Sequence, residues 1–151
     1  MRDAPQEVRT FFVTSIAHAR NALFKKEEMA RLFLGVLQDN RRKGRFLLHE
    51  FVVMPDHFHL IVTSAEDVPL EKAVQFIKGG FSFRAKKELD FQSLVWQESF
   101  TNHRVRDPED YERHRDYIHQ NPVKAAWQRR PHDTRIRPHF QGWNWTLCHQ
   151  G

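Results

Sequence analysis

Two histidines one residue apart, and a tyrosine followed four residues later by an asparagine, are the groups in this 151-residue chain whose types and spacing could do chemistry. His57 and His59 fall in the run His57-Phe58-His59-Leu60-Ile61-Val62-Thr63, which reads as a strand. Side chains alternate across a strand, so both imidazoles point to one face and Phe58 to the other. Two co-facing imidazoles can share one divalent ion. The pair also reads as two polar residues on a half-exposed strand, since short motifs have many false matches. Its apolar neighbours place it at the edge of a core strand, which favours the metal. Tyr117 and Asn121 share a helix face, as residues four apart do. Tyr111 and Ile118, seven apart, share another. The two tyrosines are separated by about 600° of helical rotation, so they point roughly 120° apart. Ile118 is expected to face the core and take Tyr111 with it, leaving Tyr117 to look away together with Asn121. From helix geometry alone Tyr117 also reads as an amphipathic surface aromatic, and Asn121 as a helix terminus ahead of Pro122.

The elements that must position these groups are legible along the chain. Thr10–Ile16 is β-branched and aromatic and reads as a first strand. Lys25 to Lys43 carries Met29, Leu32, Phe33, Val36 and Leu37 at helical spacing, with Gly44 as a stop. Phe46 to Met54 is an apolar run, a buried second strand. The turn Met54-Pro55-Asp56 leads into the histidine strand, and strands joined so tightly should pair antiparallel. Pro69 suits a helix first turn. The second helix then presents Leu70, Ala73, Val74, Ile77 and Phe81, with Gly79-Gly80 expected to bend or break it. Leu94 to Val105 reads as a fourth strand with Trp96 and Phe100 on one face. Asp107-Pro108-Glu109-Asp110 has a cap, a first-turn proline and first-turn acids, and announces a last helix ending near Asn121. The order is β-α-β-β-α-β plus a helix: an α+β, ferredoxin-like antiparallel sheet with an additional C-terminal helix carrying the tyrosine. Helices are expected on one sheet face, with the other left available. That fold decides nothing about function by itself.

Composition narrows the class. The length suits one domain, 1–124, followed by a basic, aromatic tail, 125–151, without clear period. A hydrophobic share of 40% suits a globular protein. The single Cys148 excludes an intrachain disulfide framework and a multi-cysteine zinc site. No stretch approaches the ~20 apolar residues of a membrane-spanning helix. The polar start Met1–Glu7 is not expected to be a secretory signal, and a reducing, cytoplasmic setting is expected. A formal charge of +5 and a pI near 9.7 favour a polyanionic partner. Ten histidines point towards metal chemistry.

Three stretches carry a resemblance: Met54-Pro55-Asp56-His57-Phe58-His59-Leu60, then Trp96-Gln97-Glu98-Ser99-Phe100, then Tyr117-Ile118-His119-Gln120-Asn121-Pro122-Val123-Lys124. In order and spacing, from about Thr10 to Lys124, they resemble the IS200-like single-tyrosine transposases, most of all the REP-associated tyrosine transposase branch. The resemblance implies a His-hydrophobic-His metal motif at His57-Phe58-His59, completed by Asn121, and a nucleophile at Tyr117. It implies cleavage of single-stranded DNA beside hairpin repeats, with the tyrosine taking the 5′ phosphate, and strand transfer by a bacterial cytoplasmic protein that sits on the nucleoid when bound. Relatives include monomers and dimers that swap the tyrosine helix, so a monomer or homodimer is expected. Phosphodiester attack by a phenol with an ordinary pKa near 10 calls for positioning and nearby positive charge, and a divalent ion polarises the bond. Two imidazoles and an amide oxygen suit Mn²⁺ better than Mg²⁺, and either ion is expected to serve. Arg84, Lys86, Lys87, Arg104 and Arg106 are candidate phosphate contacts, or solvated surface charges. Asp56 could orient a ligand imidazole. His103, His114 and His119 receive no role.

Past Lys124 the resemblance fades: relatives continue with a glycine and a serine-rich aromatic stretch, where this chain has Ala125-Ala126-Trp127 and arginines. This leaves DNA-sequence preference open. Three other classes compete: a catalytically silent or domesticated DNA-hairpin-binding protein, a metallonuclease using water, and an RNA-binding sheet. The last would want aromatics such as Phe58 on an open sheet face.

Overall fold

The computed structural model describes residues 9–120 and the backbone of 127–128. Its elements follow the sequence closely: β1 (Thr10–Ile16), α1 (Glu27–Arg42), β2 (Phe46–Met54), β3 (His57–Ser64), α2 (Leu70–Leu89), β4 (Thr101–Arg104), α3 (Pro108–His119) and β5 (Trp127–Gln128). The antiparallel sheet has the order β4-β1-β3-β2-β5. The first four strands have the expected ferredoxin-like arrangement. β5 falls in the segment read as a tail and extends the sheet past β2, pairing Val52 with Gln128 and Val53 with Trp127. The rest of that tail, and Asn121, lie outside the described residues.

Period-two alternation sorts the side chains onto two faces. Val13, Leu48, Phe51, Val53, Phe58, Leu60 and Val62 turn to α1 and α2 and form the main core with Phe33, Leu37, Ile77 and Phe81. Phe58 is fully buried there, packed against Phe33 and Trp96, so it offers no ring to an open sheet surface. The opposite face is not left bare. Val52, Met54 and Ile61 form a second cluster with Ile118 of α3, joined by Phe12 and Tyr111. An apolar residue on the last helix thus docks it across β2 and β3, which explains why β2 reads as apolar almost throughout.

Helix ends obey local chemistry. The Asp107 side chain caps α3 by accepting from the Asp110 N–H at 2.8 Å, with Pro108 in the first turn. Glu27 and Glu28 open α1, and Arg41 and Arg42 close it, each suited to the helix dipole. Gly44 follows with φ 75°, a conformation glycine adopts without steric cost.

Two expectations are corrected. Gly79-Gly80 does not break α2, which runs unbroken from Leu70 to Leu89. At Gly80 the two helices approach closely: a Cβ there would lie 3.3 Å from Val36 Cγ1. At Gly79 a Cβ would meet nothing within 4 Å. Gly79→Ala should therefore stabilise the fold by about 0.5–1 kcal/mol, the helix-propensity difference, as read by urea denaturation. A destabilisation would show that the glycine has a packing role. The run Leu94 to Val105 is not one strand. Trp96 makes a single bridge to Ala17, and only Thr101–Arg104 pairs with β1. Between them Ser99 takes φ 63° and re-aims the chain. Trp96 is held instead by its indole N–H, which donates to the Lys78 carbonyl at 2.9 Å. Among the described residues no helix is long and apolar enough to cross a membrane.

Candidate metal and tyrosine site

β3 begins at His57, so His57 and His59 emerge together on the face that α3 partly covers. Their rings lie 4.8 Å apart at 79°. Each is held by its Nδ1: His57 by Asp56 Oδ1 at 2.7 Å, His59 by Thr14 Oγ1 at 2.8 Å. The Asp56 carboxylate can only accept, so the His57 Nδ1 donates and Nε2 is the nitrogen turned to a metal; the Thr14 hydroxyl, which can donate or accept, permits the same tautomer at His59. Thr14 can do this because the antiparallel register sets it directly opposite His59. Asp56 sits in the β2–β3 turn, where Arg20 also contacts it at 3.3 Å. Burial alone would raise the Asp56 carboxyl, but hydrogen bonds and charge from His57 and Arg20 bring it below its ordinary value. It is therefore an anion at neutral pH, able to accept the His57 proton.

His59 is buried, and burial, with some repulsion from His57, lowers its pKa from 6.5 to about 4. A desolvated imidazole resists protonation, so at neutral pH it keeps the lone pair that a cation would use. Two anchored imidazoles, one of them held neutral, are a donor set that fits a divalent ion.

Tyr117 reaches this pair. Its ring stands edge-on to His59 at 5.4 Å and to Phe12 at 6.1 Å, and half of it is exposed. Ile118 and Tyr111 do face the apolar cluster together, as the rotation argument requires. Tyr117 does not look away, however. α3 packs on β2 and β3 through Ile118, and the neighbouring Tyr117 meets Phe12 of β1 and His59 of β3. Phe12 completes the setting by stacking on His59 at 5.2 Å.

The other candidates divide. Arg104 and Arg106 are exposed at and just after the edge strand β4. Arg104 pairs with Phe11, which packs on the main core, so it belongs to the side of the sheet away from the histidines, whereas the Arg106 N–H meets Asp110 of α3 at 3.3 Å. Arg84, Lys86 and Lys87 are on α2, which packs against the opposite face of the sheet. Arg84 is engaged there by Glu88 at 2.8 Å and Asp39 at 3.3 Å. The sequence reading missed two polar networks around α3. His119 Nε2 meets the buried Glu50 at 2.9 Å. Asp110 gathers His103, Arg113 and His114. The i, i+4 spacing of Asp110 and His114 was visible, but the partner strand residue was not.

The Asp56–His57 bond has a measurable consequence. Asp56→Asn keeps the shape but removes the charge that fixes the imidazole, and such losses typically weaken metal binding about 10–100-fold. Calorimetric titration with Mn²⁺ should read that drop; unchanged affinity would mean that Asp56 serves only the turn.

The chain matches the family model described as "Transposase IS200 like" over residues 10–121. It is 28% identical to the REP-associated tyrosine transposase of Escherichia coli over 124 residues, 82% of this chain and 71% of that one. A Haemophilus influenzae relative is 32% identical over 85 residues, 50% of this chain and 48% of its own. Among solved structures, a REP-associated tyrosine transposase bound to a REP hairpin superposes with a TM-score of 0.66 at 27% identity, covering 78% of this chain and 68% of that one. The chain belongs to the IS200-like transposase family, with its likeness to the REP-associated tyrosine transposases.

Proposed function

We propose that this protein nicks single-stranded DNA beside a hairpin and transfers the strand, with Tyr117 as nucleophile. The observation that carries the reading is the placement of the Tyr117 ring, half exposed, against an anchored pair of imidazoles. In the cleavage step the Tyr117 hydroxyl gives up its proton and its oxygen bonds to the scissile phosphorus. The P–O3′ bond breaks, and the departing 3′-oxygen takes a proton. The DNA 5′ phosphate is then an ester of Tyr117, and a 3′-hydroxyl attacking that phosphorus reverses the exchange and joins strands. Bond energy is conserved in the ester, so no ATP is needed.

His57 and His59, with Asn121 as the third donor, would hold Mg²⁺ or Mn²⁺. The ion would supply Lewis-acid polarisation of the phosphate and neutralise its charge. The chain's own contributions are orientation and dryness. Asp56 and Thr14 fix the imidazoles, Phe12 shields one side, and α3 carries the phenol to them. α3 packs on β2 and β3, and either a monomer or a homodimer would bring a tyrosine to the histidines in this way. Hairpin DNA as substrate is supported by the related structure bound to a REP hairpin. Arg106, just before α3, would take a phosphate near the cut; Arg104, Arg84, Lys86 and Lys87 would contact DNA only beyond it.

The test is denaturing electrophoresis of the protein with labelled single-stranded hairpin DNA from its own genomic flanks, with Mn²⁺, Mg²⁺ or EDTA. Metal-dependent appearance of protein-linked DNA is the expected result. Cleavage without a linked species would favour water as nucleophile, and tight binding without cleavage in either metal would favour a hairpin-binding protein.

A further inference from the structure

We propose that His103, Asp110 and His114 form a second divalent-ion site, of a kind suited to Zn²⁺, that clamps the tyrosine helix to the edge of the sheet. One ligand atom from each of the three lies within 4.8 Å of the others. His103 Nε2 is 2.8 Å from Asp110 Oδ2, and His114 Nδ1 is 3.3 Å from Asp110 Oδ1; His114 Nδ1 also donates to the Asp110 carbonyl at 2.9 Å, a bond it would exchange for the ion. The two imidazoles stack at 4.7 Å and 29°, so their edges converge on one carboxylate. The convergence is built by the fold. Asp110 and His114 are four apart on α3 and share a face. His103 comes from β4, opposite Phe12 in the register and therefore on the same side of the sheet as α3.

The donor set discriminates between ions. Two imidazole nitrogens and one carboxylate oxygen suit Zn²⁺ and its late first-row neighbours, not Mg²⁺. Zinc sits about 2.0–2.2 Å from such donors, so donors sharing it tetrahedrally stand roughly 3.5 Å apart. The His103 side chain is 49% exposed and so has room to turn towards a shared ion. Asp110 is buried, and its carboxylate is held in place by Arg113 at 3.0 Å and the Arg106 N–H at 3.3 Å, so an ion would take over the place of Arg113 on Oδ1. His103 leaves the open side of the site to solvent, where water would complete a tetrahedral shell.

This centre is separate from His57 and His59. The Phe12 ring lies between, stacked on His59 at 5.2 Å and tilted on His114 at 4.6 Å. An ion here would bridge β4 to α3 three residues before Tyr117, and so fix the helix that presents the phenol. The assignment does not depend on the strand-transfer chemistry.

The test is Zn²⁺ binding by the full chain, measured by native mass spectrometry and calorimetry. The first arm compares the wild type with His103→Ala. The expected result is one fewer Zn²⁺ per chain in the variant, at Zn²⁺ concentrations that saturate the wild type. The second arm starts from His57→Ala/His59→Ala. One Zn²⁺ that responds to His103 should remain, and adding His103→Ala should weaken it at least about tenfold, the lower end of losses at metal sites. Histidines elsewhere in the chain would not respond to His103→Ala, so Zn²⁺ uptake unchanged by that substitution overturns the proposal. Because His103 is half exposed, its replacement leaves the fold intact, which a thermal melt without metal verifies.

Discussion

Tyr117→Phe is expected to eliminate protein-linked DNA and to slow strand cleavage by on the order of 10³-fold or more, the scale seen when a nucleophile is removed. Hairpin binding is expected to stay within a few-fold of wild type. The substitution keeps the ring that meets Phe12 and His59 and takes away only the hydroxyl. Tyr117 is 50% exposed, so the fold should lose under about 1 kcal/mol, the usual range for surface positions. A large activity loss therefore reports chemistry and not unfolding. The gel described above, run beside a binding titration, measures both. Cleavage at the wild-type rate in Tyr117→Phe would sink the tyrosine mechanism and leave the same histidines serving a water nucleophile.

Why Tyr117 is found at the histidines bears on what a sequence can reveal. Strand alternation put His57 and His59 on one face, and the structure has them there. Helical rotation put Ile118 in an apolar contact with Tyr111 on its side, and that too is found. Rotation angles describe a helix about its own axis, however. They do not say on which surface the helix lies, and Tyr117 was expected to face away only because the sheet beside it was not yet in view. The same limit hid the partners Thr14, set by strand register, and Glu50, set by the docking of α3 on the sheet, 45 and 69 residues from the groups they hold. Local punctuation was readable where one residue decides it, as at Gly44 and Asp107. It misled where two local signals competed. The glycine pair argued for a break in α2, but packing against Val36 gives Gly80 a reason to remain helical. The apolar run around Trp96 argued for a long strand, but the left-handed Ser99 ends that geometry.

The second large effect concerns the imidazole that burial keeps neutral. His59→Ala is expected to weaken Mn²⁺ binding at the His57 site by more than about 100-fold, beyond the range for losing an orienting partner, and to abolish formation of protein-linked DNA. His59 is 6% exposed, and its low pKa keeps its lone pair available to a cation at neutral pH without competition from protons. Removing it also leaves the Thr14 hydroxyl without its partner and a gap beside Phe12. A stability loss of about 1–3 kcal/mol should accompany it, so metal binding must be measured at a temperature where circular dichroism shows the variant folded. Thr14→Val separates the two effects. It retains the imidazole but withdraws the oxygen that aims it, and should weaken Mn²⁺ binding by roughly 10–100-fold. Affinity should then fall in the order wild type, Thr14→Val, His59→Ala, with hairpin affinity in EDTA nearly constant across the three. If folded His59→Ala bound Mn²⁺ as the wild type does and still formed the covalent species, the histidine pair would not be the metal centre. The closeness of Tyr117 to it would then be packing alone.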